Sequence, residues 1–149
     1  MLAVTEVNGC EVCSYAHTKA ALETGMSNNE IQNMLSGIND DIPSNELSGI
    51  IFAQHYADSR GKPSKEALKR IIDVYGQSKA EGIVAVVRII MMGNAYGIPW
   101  SSFINRFKGK PDERCSLIYE LSIIVSTIIF LPPALLQASF ANISKIPYI

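Results

Sequence analysis

Residues 8–30 read NGCEVCSYAHTKAALETGMSNNE, and this stretch decides the fold. Cys10, Cys13, Ala16, Ala20 and Ala21 recur at helical spacing, which predicts a helix to about Glu23. Asn8-Gly9 ahead of it reads as a turn or a helix start. Gly25 is placed to close the helix, because glycine readily takes the left-handed conformation that follows a last turn. Ser27-Asn28-Asn29-Glu30 has the spacing of a capping box, in which serine and glutamate satisfy each other's backbone N–H groups. It opens a short helix through about Leu35.

The same signals recur outward. Gly37 to Pro43 reads as a loop, and a helix is predicted from about Ser44 to Ser59. Arg60-Gly61-Lys62-Pro63 is a second loop, after which Ser64 can cap a helix to about Tyr75. Ser78-Lys79-Ala80-Glu81 reads as another capping box. It opens a long helix that ends near Asn94, with Tyr96-Gly97-Ile98-Pro99 as its break. Short joins, many caps and no alternating strand pattern predict an all-α helical bundle. The whole of 1–149 is expected to form a single domain, with 1–110 as its core and 111–149 as an apolar C-terminal helical extension.

That extension carries no Asp, Glu, Lys or Arg from Leu121 to Ser144, and residues 121–136 read LSIIVSTIIFLPPALL. A helix is predicted from about Arg114 to Leu131, broken at Pro132-Pro133. An uncharged stretch beyond about 18 residues is long enough to be a membrane span. Two points favour burial against neighbouring subunits instead. The proline pair would free backbone groups that lipid cannot satisfy, and Ser122, Ser126 and Thr127 form a polar strip suited to helix contacts.

Composition narrows the function classes. The chain has 149 residues, 48% hydrophobic and 18% charged, with a formal net charge of -1. A usual charged fraction is about 25%, so much of the surface is expected to be covered. No basic block is present, which argues against a nucleic-acid partner. The apolar content is too high for a disordered chain. Three cysteines do not make a disulfide scaffold, and the opening MLAVTEVNGCEVC lacks the basic n-region of a secretory signal. The expected setting is cytoplasmic, where a close cysteine pair is more often a redox or metal site than a structural bridge.

On a helix, positions i, i+3 and i+7 share a face, so Cys10, Cys13 and His17 lie on one stripe. Two thiols one turn apart can close a disulfide, and a histidine beside them supplies a base near neutral pH. A thiolate nucleophile, a proton acceptor and a resolving thiol are the parts of a dithiol redox site. His17 is one turn from Cys13 but about 10.5 Å along the axis from Cys10. Direct proton transfer therefore favours Cys13 as the attacking thiol, although a helix N-terminus would favour a thiolate at Cys10. Two other readings stay open. The cysteines and His17 could hold zinc with Cys115 as a fourth ligand, at awkward tetrahedral angles for three ligands on one helix. The cysteines could also be inert core residues.

The stretch VNGCEVCSYAHTKAALETGMSNNEI resembles the core motif of the alkylhydroperoxidase D-like branch of the carboxymuconolactone decarboxylase superfamily. That motif is Asn-Gly-Cys-x-x-Cys-x-x-x-His followed by a capping turn, and the likeness runs from about residue 2 to residue 36. The resemblance implies an all-α fold, a homo-oligomer (trimer or hexamer), and thiol peroxidase or disulfide reductase activity without metal or flavin. It implies catalytic roles for Cys10, Cys13 and His17, a peroxide or disulfide substrate, and a dithiol reductant or reductase partner. The family's relay glutamate stands about twelve residues before the first cysteine, and only nine precede Cys10 here. The expectation is an N-terminally truncated chain or an incomplete relay. Glu6 is the nearest substitute, and only if one helix ran through Asn8-Gly9. The second function class is accordingly a degenerate member acting as an oligomeric binding or scaffold protein. Of the remaining residues, His55 reads as an ordinary helix position, Arg88 as a partner for an acid across an interface, Trp100 as packing and Cys115 as a spectator.

Overall fold

The computed structural model describes residues 1–36 and 44–144, so the loop expected at Gly37 to Pro43 lies outside the described residues. Seven helices and no strand are found among them, in keeping with the all-α expectation. They are α1 (Leu2–Asn8), α2 (Glu11–Glu23), α3 (Asn28–Leu35), α4 (Ser44–Asp58), α5 (Lys65–Tyr75), α6 (Gln77–Arg106) and α7 (Leu117–Ile143). The chain divides into two compact units, Met1–Gly97 and Ile98–Ile149.

In the first unit the shortest helix is the most buried. Seven residues are too few to hold a helix in water unaided. α1 is held by burying Leu2, Ala3, Val4 and Thr5 almost completely. Ala3 and Val4 join the main core with Phe52, Ala53, Tyr56 and Ala57 of α4, Ile71 of α5, and Ala80, Val87 and Ile90 of α6. Leu2 packs instead with Ala21 of α2 and Ile31 of α3. α1 is thus common to both apolar clusters.

The caps follow the sequence closely. α2 closes with Gly25 at φ 94°. The Met26 N–H donates to the Ala21 carbonyl at 3.0 Å and the Gly25 N–H to that of Leu22 at 3.0 Å. This is the paired closure that a left-handed glycine permits. Ser27 and Glu30 form the expected capping box. Ser64 accepts from the Ala67 N–H at 3.1 Å, and its own N–H donates to His55 Nε2 at 3.2 Å. His55 therefore ties the end of α4 to the start of α5.

Three expectations need correction. The box read at Ser78 does not form: Gly76 precedes the helix at φ 76°, and its carbonyl accepts the first helical bond from Ala80. Glu81 is engaged by the Gln77 side chain at 2.6 Å instead of reaching back to a cap. α6 does not break at Tyr96-Gly97-Ile98-Pro99 but runs to Arg106 with Pro99 inside it. Proline removes its own donor, the one that would have bonded the Ala95 carbonyl, and crowds that carbonyl with its ring. The burial of Pro99 and Ser102 works against that loss. α7 likewise continues through Pro132 and Pro133 to Ile143. Two donors are lost there, yet the helix is unbroken on either side of them.

In the second unit a buried ion pair joins the end of α6 to the start of α7. Glu120 has no exposed surface. It accepts from Arg106 Nη2 at 2.7 Å and Nε at 2.9 Å, and from Ser102 Oγ at 2.6 Å. The Arg106 guanidinium, helped by Ser102, holds the Glu120 carboxyl below the usual carboxylate range. The pair therefore stabilises the fold above that range and is lost as pH falls through the lower folded value.

Ile71, 1% exposed, is a test of the main core, and Val74 on the same helix is 50% exposed. Ile71→Ala should lower stability by about 2–5 kcal/mol, the usual cost of such a cavity. Val74→Ala should change it by less than about 0.5 kcal/mol. Urea denaturation of both variants checks this, through midpoints at an unchanged slope.

Candidate redox site

The site begins with a turn. Gly9 sits at φ 59°, ψ 46°, and its N–H donates to the carbonyls of Thr5 and Glu6 at 2.9 and 3.2 Å. This closes α1 with a left-handed turn. Cys10 follows in extended conformation as the N-cap of α2, and its carbonyl accepts the first helical bond from Ser14 at 2.8 Å. Cys13 is the third residue of the helix. Cys10 and Cys13 form a disulfide with Cα atoms 5.3 Å apart, inside the range that bridged cysteines occupy. Cys10 is 2% exposed, whereas Cys13 retains part of its surface.

The sulfurs lie against the backbone of α6. Cys13 Sγ is 3.9 Å from the Gly93 carbonyl oxygen, within reach of a thiol donor once the bond is reduced. One turn further, a Cβ added to Gly97 would stand 2.8 Å from Cys13 Sγ and 3.1 Å from Cys10 Sγ. Only glycine leaves room for the disulfide there. The sequence marks Gly97 only as a helix breaker, because a lone glycine before a proline carries no sign of what will pack on it.

His17 stands one turn after Cys13 on α2 and is half-buried. It lines an apolar cavity of about 830 Å³ shared with Met26, Met34, Ile50, Ile83 and Val87, which neither cysteine lines. His17 makes no hydrogen bond to either sulfur among the described residues. Burial, and secondly the positive Met1 amino group, push its imidazole below the ordinary histidine value. A neutral imidazole near pH 7 is the state a proton acceptor needs.

The other residues read from sequence fall elsewhere. Glu6 belongs to α1, which ends at Gly9, so it is not on the α2 stripe, and burial raises its carboxyl. Glu11 is exposed in the first turn of α2. Cys115 belongs to the second unit and is buried. Burial, then the nearby charges of Asp112 and Glu120, raise its thiol pKa. No group of three or more His, Cys, Asp or Glu side chains among the described residues is placed to hold a metal ion. Arg88 donates from Nε to Tyr56 Oη at 3.2 Å within the first unit. Trp100 is not fully packed but 45% exposed.

Residues 1–38 of this chain match the model of the carboxymuconolactone decarboxylase family. The match covers the stretch that carries the resemblance. No curated protein and no solved structure gives a significant match to the chain.

Gly93 and Gly97 make a paired test. Gly93→Ala meets nothing within 4 Å, so it should raise stability by about 0.5–1 kcal/mol through helix propensity. Gly97→Ala should forfeit that gain and push the sulfurs off α6. Thermal unfolding together with titration of free thiols after mild oxidation checks both, and the Gly97 variant should keep the larger reduced fraction.

Proposed function

We propose that the protein is a thiol-dependent oxidoreductase in which Cys10 and Cys13 cycle between dithiol and disulfide while reducing a peroxide or a disulfide. The observation that carries this reading is the closed Cys10–Cys13 pair at the N-terminus of α2. A helix N-terminus favours negative charge, which lowers the pKa of a thiol placed there. Cys13 is the more accessible of the two and the nearer to His17 along the helix, which supports it as the attacking thiol.

With a hydroperoxide, the Cys13 thiolate attacks the distal oxygen. The O–O bond breaks, Cys13 becomes a sulfenic acid, and the alkoxide leaves as the alcohol after taking a proton. His17, one turn away and not bonded to the sulfur, accepts the thiol proton beforehand through water. The Cys10 thiol then displaces water from the sulfenic acid to form the disulfide, and a dithiol reductant restores both thiols. With a disulfide substrate, the thiolate instead forms a mixed disulfide that Cys10 resolves. The raised thiol pKa of Cys115 supports its standing outside this cycle.

Peroxide consumption with a dithiol reductant tests the reading. Cys13→Ser should abolish turnover. His17→Ala should slow it by about 10²-fold or more, the usual range for loss of a general base, and should raise the pH needed for thiol alkylation. Absence of turnover in the unsubstituted protein, with the disulfide still forming, would favour the non-catalytic alternative.

Mass spectrometry after mild peroxide treatment gives an independent check. It should show the loss of two hydrogens confined to the peptide carrying Cys10 and Cys13. Equal oxidation of Cys115 would count against the assignment.

A further inference from the structure

The C-terminal helix presents apolar surface in all directions. Every residue from Ile128 to Phe140 is exposed, which covers more than three turns and therefore every face. Ile128, Phe130, Leu136 and Phe140 are each more than 60% exposed. A partner subunit packed on α7 would cover one stripe and leave the opposite side in water. A bilayer covers all sides at once. The other long apolar helix, α6, differs: it buries Ala80, Val87 and Ile90 in the core of the first unit.

We infer that α7 crosses a lipid bilayer, with Leu121–Ile143 as the span. These 23 residues reach about 35 Å at 1.5 Å per residue, against a hydrocarbon core of about 30 Å. The window within α7 has a mean hydropathy of 1.9 and none of it is buried. The hydroxyls that read as a polar strip are already satisfied inside the helix. Ser122 Oγ donates to the Ile118 carbonyl at 2.7 Å, and Ser126 Oγ and Thr127 Oγ1 to that of Ile123 at 2.7 and 2.9 Å. This back-bonding is how such side chains shed their polarity where water is absent. The proline pair leaves the helix continuous. Its cost falls on the carbonyls of Ile128 and Ile129, and under-satisfied acceptors are tolerated better than orphaned donors.

The near end of the span is built as an anchor. Glu120, one residue before it, is locked to Arg106 and Ser102. That bond brings Phe107, 81% exposed, with Lys108 and Lys110, to the base of α7. Exposed cations at the start of an apolar helix are the composition of a membrane–water boundary. Arg106, Lys108, Lys110 and Arg114 cluster just before the span. Such a basic cluster beside a span favours the cytoplasmic face for the chain before Leu121, cysteines included.

The test is expression of the full chain, a carbonate wash of the membranes, and flotation in a density gradient. The protein should float with lipid after the wash. Ile128→Arg, at a site 68% exposed in the structure, should lose flotation while the Cys10–Cys13 disulfide still forms. An epitope placed after Ile149 should be reached by antibody only from the face opposite the cysteines. A detergent-free soluble particle of several chains would overturn the inference in favour of a second copy on α7. A pellet that does not float would overturn it as well.

Discussion

The left-handed turn at Gly9 is the constraint on which the first unit depends. It ends α1 after seven residues and starts α2 one residue later, so the two helices diverge at once. A side chain at that position would carry the cost of the left-handed conformation. The turn leaves Cys10 as the N-cap, in the extended conformation that lets its sulfur meet that of Cys13. It also leaves α1 free to be enclosed by α2 and α3 on one side and by α4, α5 and α6 on the other. The disulfide and the core thus follow from the same turn.

The disulfide also depends on α6. The sulfurs rest on Gly93 and Gly97, and Thr5 of α1 donates to Asn94 of α6 at 3.5 Å in the buried space beside them. Asn94 Nδ2 has no partner among the described residues, and an orphaned buried donor costs about 1–3 kcal/mol. The stretch of α6 that receives the disulfide therefore carries a side-chain amide with an unmet donor. His17 faces a different environment, the apolar cavity, which keeps its imidazole neutral without a hydrogen bond to sulfur.

The second unit is organised by charge at one end and by its absence at the other. Arg106, Ser102 and Glu120 satisfy one another almost completely, which is what makes a fully buried carboxylate tolerable. Beyond Glu120 the helix has no charge to solvate, and from Ile128 to Phe140 nothing covers it. A locked base under an apolar rod is the arrangement expected where one end meets water and the rest does not.

Local signals in the sequence determined the elements. Gly25, the Ser27–Glu30 box and the Ser64 cap fix their helix ends through bonds spanning at most five residues, so they can be read without the fold. The Cys10/Cys13 pairing was legible for the same reason, since a single turn sets the distance. Prolines misled the reading at Pro99 and at Pro132-Pro133. Proline's local cost is fixed, but whether a helix ends there depends on what the neighbouring side chains bury. Local sequence reads Gly97 as a helix breaker and Arg88 as a lone charge, but their neighbours lie tens of residues away in the chain. Only tertiary structure decides contacts of that kind, because packing, unlike capping, is set by residues the local sequence does not contain.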